Sequence, residues 1–255
     1  MRISFSAVAR GAAAPLALLA LLEFYARGPG KNSDALAAPS AAALAFVRAL
    51  GDGSLLQATG FTLASAAVGL VIGFVGGGLL GTWLGLSKRA GRYGFLSVEV
   101  LRPVPSVALI PLAMLVFGFG LRMESSVVAF ATFWPMLVLA QAAARLVDAR
   151  LLEVAHALGL SPLARLTKIV LPSMVPRLFV ALRLGVAIAL VVAVTVEIAA
   201  NPHGMGYAIM IAQQSLDPAL MLAWLFWIAV VGYVVNAGAL HLQHRVARAM
   251  GGSAP

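Results

Sequence analysis

The sequence predicts an all-helical integral membrane protein with about six transmembrane helices. Hydrophobic residues make up 62% of its 255 positions and charged residues only 11%, and the mean hydropathy is +0.98. The hydrophobic residues occur in long runs rather than in alternation with polar residues, which is typical of helices that cross a lipid bilayer. The positive charges lie mostly between these runs, where they indicate which connections face the cytoplasm.

Composition also argues against several classes of function. A net charge of +9 would suggest a nucleic-acid partner in a soluble protein, but in so hydrophobic a chain we expect none. The sequence has no cysteine, and its histidines show no metal-like grouping, so we predict no metal site. It contains no Gly-x-x-x-x-Gly-Lys-Ser/Thr phosphate loop, so any ATP and Mg²⁺ would be bound by another chain. We therefore predict neither a cofactor nor a catalytic residue in this chain.

Residues 1–56 are predicted to form a first transmembrane helix and an external connector. Arg2 and Arg10 precede an apolar run over residues 11–22, which fits either a signal peptide or an uncleaved first span. A small-x-small cleavage site is missing just after the run, and this favours the uncleaved span. Residues 28–56 are rich in Gly, Pro, Ser and Ala and are expected to connect the first span to the second.

The core unit is predicted over residues 57–245, and its first element is a span over 57–86. Thr59, Thr62 and Ser65 in this span are expected to hydrogen-bond to other helices. Glycines recur at every fourth residue of the span, which places them on one stripe where a partner helix can approach closely. This glycine stripe consists of Gly69, Gly73, Gly77, Gly81 and Gly85. Spacing leaves open whether the partner helix belongs to the same chain or to a second subunit.

The third span is predicted over residues 95–119, after a basic turn over 88–92 that contains Lys and Arg. Pro103 and Pro105 are expected to break the helix near its start, and Pro111 to break it again. Proline has this effect because it lacks a backbone N–H and its ring clashes with the preceding turn.

Three further spans complete the predicted core. They are expected over residues 124–144, 173–200 and 218–241, with a short external helix over 207–214 and a cytoplasmic tail over 246–255. With the N-terminus inside, twelve Lys and Arg residues fall on the cytoplasmic side of the membrane and four fall outside. Positive residues favour the cytoplasm, so the loop between the fourth and fifth spans is predicted to be cytoplasmic.

Several residues in or near the spans are candidates for a substrate pathway or gate. Glu99 and Arg102 lie three residues apart and can pair across one helical turn. The segment around them is either part of a pathway or gate, or only a proline kink beside a charge pair, and the two interpretations are equally favoured. Glu197 is expected near the outer end of the fifth span, where it either lines a path or is hydrated at the interface. The candidate pathway or gate residues are Glu99, Arg102, Pro103, Pro105, Glu197 and Tyr207.

The central loop over residues 148–172 is mixed and charged in an otherwise hydrophobic chain. Apolar residues at three- and four-residue spacing predict a short amphipathic helix whose apolar side rests on the membrane helices. These residues are Leu151, Val154, Ala155 and Leu158. Amphipathicity alone leaves the loop either as a surface elbow between two spans or as a docking element.

The second half of the loop carries the residue types that end one helix and begin another. Gly159 is expected to end the first helix in the left-handed conformation, Ser161 to cap the second, and Pro162 to occupy its first turn. Pro172 and Pro176 are expected to end this second helix, because proline disfavours helix in the residue before it.

The order of residues in the loop resembles the EAA loop of ABC-importer permeases. In that family a Glu-Ala-Ala triplet is followed by a glycine after three residues, and then by an isoleucine and a Leu-Pro pair. This chain has Glu153-Val154-Ala155, then Gly159, Ile169 and Leu171-Pro172, with valine in place of the middle alanine. The segments L-L-E-V-A-x-A-L-G and A-L-R-L-G-V-A-I-A resemble the branch that imports nitrate, sulfonates and taurine.

The resemblance implies the type I ABC importer permease fold, with a cytoplasmic two-helix coupling loop, in the bacterial inner membrane. It implies cytoplasmic ABC ATPase subunits, a periplasmic or extracellular solute-binding protein and a second permease chain, in a homodimer surrounded by lipid. The residues expected to couple to the ATPase are Glu153, Ala155, Gly159, Ser161, Pro162, Leu171 and Pro172.

Two other classes of membrane protein are alternatives to the importer subunit. An ion-coupled secondary transporter would show inverted repeats and carboxylates near the middle of the membrane, and the sequence offers neither clearly. A membrane enzyme would need a catalytic motif, and neither Gly-x-Ser-x-Gly nor His-Glu-x-x-His occurs.

Overall fold

The computed structural model describes residues 5–30 and 36–249, and every regular element in these ranges is helical. The helices are α1 (Phe5–Arg27), α2 (Pro39–Gly51), α3 (Ser54–Leu86), α4 (Lys88–Leu101), α5 (Ile110–Phe117), α6 (Leu121–Arg145), α7 (Ala149–Ala157), α8 (Pro162–Arg165), α9 (Leu171–Ala199), α10 (Met205–Gln214) and α11 (Pro218–Ala249). A short 3₁₀ helix (Ser106–Leu109) precedes α5, and a π turn (Leu166–Val170) joins α8 to α9. The predicted tail is helical up to residue 249, and residues 250–255 lie outside the described residues.

Four helical segments of the described chain are long and apolar enough to cross a membrane. They are Ser54–Leu86, Leu121–Arg145, Pro162–Ala199 and Pro218–Val246. A fifth span results if α4 and the segment Ser106–Phe117, which are bent by 80° relative to each other, count as one. The element predicted as the first of six spans is helix α1, which is not among these four or five.

The centre of the bundle is the contact between α3 and α6, which run parallel along the glycine stripe. A Cβ atom added at Gly77 would lie 2.4 Å from the carbonyl oxygen of Phe133, and one added at Gly81 would lie 2.2 Å from that of Leu137. No side chain fits in these gaps, so the two backbones are in direct contact. The partner helix that spacing left open is therefore α6 of the same chain.

The segment between α3 and α6 corrects two predictions. The basic residues expected in a turn form the first turns of α4, because the Ser87 hydroxyl caps this helix by accepting a hydrogen bond from Ala90 N at 3.2 Å. The break at Pro103 and Pro105 is confirmed. Pro111 does not break a helix; it lies in the first turn of α5, where no backbone N–H is needed.

The chain between α6 and α9 follows the predicted turn but continues further as helix than expected. Pro172 and Pro176 do not end the second helix, since the helical backbone runs on through α9 to its end at Ala199. Immediately before Pro172 the backbone widens into the π turn, in which Leu171 N donates to Leu166 O, five residues back. The wider turn accommodates the proline ring and its missing N–H, so the helix continues through this residue instead of stopping.

The helix ends of the bundle fall into two groups, which we call the loop end and the far end. The loop end contains the end of α3, the start of α4, the end of α6 and the segment from α7 to the start of α9. The far end contains the start of α6, the end of α9 and the start of α10. The antiparallel packing of α6 against α9 connects the two ends directly.

Candidate functional site

Helix α7 at the loop end is anchored to the bundle by two side chains. Ala155 is fully buried, and Leu152 is half-buried against an apolar cluster at the ends of α6 and α9. That cluster consists of Ala140, Ala143, Ala144, Val170 and Met174. Asp148 caps the helix by accepting a hydrogen bond from Arg150 N at 2.9 Å. The helix is therefore held at one face and at its N-terminus.

Four other apolar side chains of the loop point away from the bundle, and this corrects the prediction that Leu151, Val154 and Leu158 rest on it. The exposed fractions are 46% for Leu151, 56% for Val154, 71% for Leu158 and 69% for Leu163. We call these four residues the loop patch. The prediction is confirmed for Ala155 but was wrong for the other three residues, because residues three and four apart define a face but not its partner. The bundle packs against Ala155 and the neighbouring Leu152.

The residues predicted to shape the loop have the local geometry expected of them. Gly159 has a φ of +66°, in the left-handed region that favours glycine, and no atom of another residue would contact an added Cβ there. Ser161 accepts a hydrogen bond from Ala164 N at 3.2 Å, and Pro162 lies in the first turn of α8. Glu153 is exposed on α7, next to the loop patch.

Leu171 and Pro172, the last two residues predicted for coupling, lie at the start of α9. Both are exposed, and both follow the π turn directly. They connect the loop to a membrane helix rather than forming part of its outward surface.

The far end contains a buried polar cluster that joins α3, α6, α9 and α10. Glu124 and Glu197 are both fully buried. Glu124 accepts one hydrogen bond from the Ser65 hydroxyl and another from the Asn201 side-chain amide. Glu197 Oε2 accepts a hydrogen bond of 2.7 Å from Gly206 N. The two carboxyl groups therefore connect the end of α9 and the connector after it to helices that are distant in sequence.

The connector between α9 and α10 fits against Glu197 with no space to spare. Gly204 has a φ of +92°, and an added Cβ would lie 2.0 Å from Glu197 Oε1. A Cβ at Gly206 would lie 2.3 Å from the carbonyl oxygen of Val194. Met205 N donates to the Thr62 hydroxyl at 3.0 Å, which attaches the start of α10 to α3. Residues 204–206 must therefore keep this backbone for the cluster to close.

The cluster is not fully satisfied by hydrogen bonds. Glu197 Oε1 and Asn201 Oδ1 are buried without a hydrogen-bond partner. Neither carboxyl group forms a salt bridge with a cation in residues 5–30 and 36–249. An unpartnered buried polar atom costs about 1–3 kcal/mol, so this joint holds the helices together at a free-energy cost.

The structure brings only some of the candidate pathway residues together. Glu197 joins the buried cluster, so its side chain is neither hydrated at an interface nor exposed along a path in this conformation. Tyr207 directly follows Gly206 on α10 but lines a separate, shallow cavity of about 480 Å³ against α2 and α11. Glu99 and Arg102 pair at 3.6 Å, as predicted, but both remain about half exposed on α4 beside the prolines.

The predicted interhelical hydrogen bonds form. Trp227 Nε1 donates to the Thr59 hydroxyl at 2.7 Å. Thr62 accepts from Met205 N, and Ser65 donates to Glu124.

Glu124 and Asn201 were not predicted as site residues. An ionisable residue at the start of a membrane helix is itself a signal of a site, so Glu124 could have been found, whereas Asn201 resembles any turn residue.

Comparison with known proteins places these features in a family. A family model described as binding-protein-dependent transport system inner membrane component matches residues 73–248. The chain belongs to this family. The matched region includes the whole of the loop, Glu124, and the connector from Glu197 to Gly206; it begins after Ser65.

Named relatives of this inner membrane component are transport permeases. The aliphatic sulfonates transport permease SsuC of Bacillus subtilis is 28% identical over 237 residues, covering 93% of this chain and 86% of SsuC. The taurine transport permease TauC of Escherichia coli is 27% identical over a region that covers 76% of this chain and 71% of TauC. The nitrate import permease NrtB of Synechococcus elongatus is 30% identical, covering 58% and 53%.

Two solved transporters show the same fold. An inward-facing form of the MetNI methionine ABC transporter has a TM-score of 0.66 and 21% identity, covering 77% of this chain and 95% of its own. An amino acid ABC transporter has a TM-score of 0.61 and 18% identity, and the match covers 80% of this chain and 97% of the transporter chain. The expected type I ABC importer permease fold is therefore confirmed for this inner membrane component.

Proposed function

We propose that this inner membrane component is the translocating subunit of an ATP-driven importer for a small anion such as a sulfonate, taurine or nitrate. The observation that carries the proposal is the loop patch: four exposed apolar side chains on α7, the turn after it and α8, in a loop that is itself anchored in the bundle. Exposed apolar surface rimmed by charged residues is typical of a protein interface. The partner that fits it is a cytoplasmic ABC ATPase subunit, which would bind Mg²⁺ and ATP and hydrolyse the ATP.

The anchoring of α7 explains how force would reach the membrane helices. Leu152 and Leu166 pack on the ends of α6 and α9, so a displacement of the loop patch moves both helices. Closure of two ATPase subunits around ATP would draw two such loops together, and the two bundles would rock between inward-open and outward-open arrangements. This mechanism requires a second permease chain, which we propose is an identical copy.

The distribution of charge supports the orientation of the proposed subunit. Lys and Arg are concentrated at the loop end, so we place this end in the cytoplasm, and we propose that α1 crosses the membrane as an additional span and brings the N-terminus to the same side. A solute-binding protein would then deliver its ligand at the far end, beside the connector and α10. The named permeases carry aliphatic sulfonates, taurine or nitrate, which all bear a negatively charged sulfonate or nitrate group, and this shared group is the basis for the substrate class proposed here.

Replacing Gly159 with aspartate tests the coupling role of the loop. Its φ of +66° penalises any L-residue by about 1–2 kcal/mol, and the added charge lies beside the loop patch. We expect Gly159→Asp to insert into the membrane normally but to lose ATP-driven uptake in vesicles that contain the ATPase and the binding protein. The ATPase should also no longer co-purify.

The matched control is Gly53→Asp. Gly53 also has a positive φ, +78°, and also has open space around it, but it lies before α3, away from the loop. It should retain uptake and co-purification of the ATPase. Normal uptake by Gly159→Asp would contradict the coupling role, and uptake without any ATPase that stops with an ionophore would contradict the importer itself.

A further inference from the structure

A cavity of about 680 Å³ lies at the loop end and is not part of the coupling surface described above. Its walls come from the end of α3, the start of α4, the end of α6 and the start of α7. The four elements meet here without filling the space between them. Such a concave site between helix ends can hold a ligand that a flat surface cannot.

The lining of the cavity is positively charged. Lys88, Arg92 and Arg145 contribute their side chains, and no acidic residue lines the cavity. The salt bridges among the described residues lie elsewhere, at Glu23 and Glu99, so none of the three cations is paired within this part of the chain. Three unpaired cations around one space favour an anion, and an arginine favours one with several oxygens.

The rest of the lining is apolar. Leu84, Leu86 and Phe95 form one wall, and Leu152 forms part of another. The long apolar run of α3 ends at Leu86, and basic residues follow at the start of α4, as is typical of the level at which the hydrocarbon of a bilayer meets the headgroups. Phe95 is 63% exposed on this side of α4. A free inorganic anion would gain nothing from these apolar walls, whereas an acyl chain would.

We propose that this cavity binds the phosphate of an anionic phospholipid, with the headgroup between the three cations and the acyl chains along α3 and α4. Basic pockets between membrane helices on the cytoplasmic side have the charge and position to recognise such headgroups. Ala149 and Leu152 of α7 also line the cavity. A bound lipid therefore contacts the root of the coupling helix and links the loop to the surrounding membrane.

Lipid retained by the full chain in detergent tests the proposal, because detergent removes the general attraction of a charged bilayer. Wild-type protein is mixed with equal amounts of phosphatidylglycerol and phosphatidylcholine, and the bound lipid is counted by native mass spectrometry. We expect one phosphatidylglycerol per chain and little phosphatidylcholine. Equal retention of the two lipids would overturn the proposal.

Two triple variants separate the cavity from the general positive charge of the loop end. The first variant replaces the three cavity residues Lys88, Arg92 and Arg145 with Gln. The second replaces Arg89, Arg150 and Lys168 with Gln. All six side chains are exposed, and only the first three line the cavity. Because the first variant loses all three cations of the cavity, it should bind phosphatidylglycerol at least about tenfold more weakly.

The second variant should retain the lipid, and an equal loss in both would overturn the assignment to this cavity. Arg145→Lys in the wild-type background keeps the charge and should retain most of the binding.

Competition with inorganic phosphate at millimolar concentration is the last arm of the experiment. If it displaces phosphatidylglycerol, the ligand is a soluble anion, and the lipid assignment fails. Because the readout is bound lipid, the result is independent of uptake and of the ATPase.

Discussion

The two ends of the bundle place polar and apolar side chains in opposite ways. At the loop end, Leu158 and Leu163 are about 70% exposed, while the small Ala155 is buried. At the far end, two carboxyl groups and an asparagine are buried, and their hydrogen bonds hold four helices together. Exposed apolar residues contribute little to the stability of the chain and are available to a partner, whereas buried polar residues are costly unless their bonds are kept.

The difference shows where stability and coupling are separable in this protein. Substitutions in the loop patch should change partner binding and leave the fold intact. Substitutions in the far-end cluster should change the fold itself, because this cluster joins α9 and the connector after it to α3, α6 and α10. The predictions below test this division, beginning with the largest expected effect.

Gly204→Ala should be the most damaging substitution. The new methyl group would meet the Glu197 carboxyl at 2.0 Å, on a backbone with a φ of +92°. Backbone strain and overpacking together should lower the free energy of unfolding by about 3–5 kcal/mol. Thermal unfolding of the purified chain in detergent measures the loss.

Gly118→Ala is the control for backbone strain alone. Gly118 has a φ of +68° and a ψ of −168°, close to the extended-like geometry of Gly204, but no atom of another residue lies near its added Cβ. It should lose only about 1–3 kcal/mol. Similar losses for the two variants would show that the close approach to Glu197 contributes nothing.

Glu197→Ala and Glu197→Gln should differ, because only one of them keeps an acceptor for Gly206 N. Alanine leaves this buried N–H unpaired, which should cost about 1–3 kcal/mol of stability. Glutamine can place its carbonyl oxygen at the same point and should cost less than 1 kcal/mol by the same reasoning. Melting temperatures of the two variants provide the comparison, and equal losses would mean that this hydrogen bond does not hold the connector.

Leu158→Ser should have the smallest effect on stability and a large effect on coupling. Leu158 is 71% exposed, so its replacement should change the free energy of unfolding by less than about 0.5 kcal/mol. We expect the ATPase to bind more weakly and ATP-driven uptake to fall, as measured by co-purification and by transport in vesicles.

Leu152→Ser is the matched variant on the same helix. Leu152 packs against the apolar cluster at the ends of α6 and α9, so this variant should lose stability as well as coupling. If Leu158→Ser proves as unstable as Leu152→Ser, the loop patch is part of the fold rather than a partner surface.

Sequence patterns predicted the features that depend on neighbouring residues. The turn at Gly159, Ser161 and Pro162 was predicted in detail because capping and left-handed backbone are local properties. The apolar runs predicted the long spans for the same reason. Local rules failed at Pro172, where the π turn lets the helix continue through a residue that usually ends it.

The amino-acid sequence by itself determined the membrane class, the positions of the long helices, the glycine stripe and the turn within the loop, since each follows from residues at fixed short spacing. Only the tertiary structure decided that the stripe packs on α6 and that the loop patch faces outward. It also brought Glu124 to Asn201 across 77 residues of sequence. Short-range patterns specify a helix and its faces, but the partner of each face is selected by the packing of all the helices together.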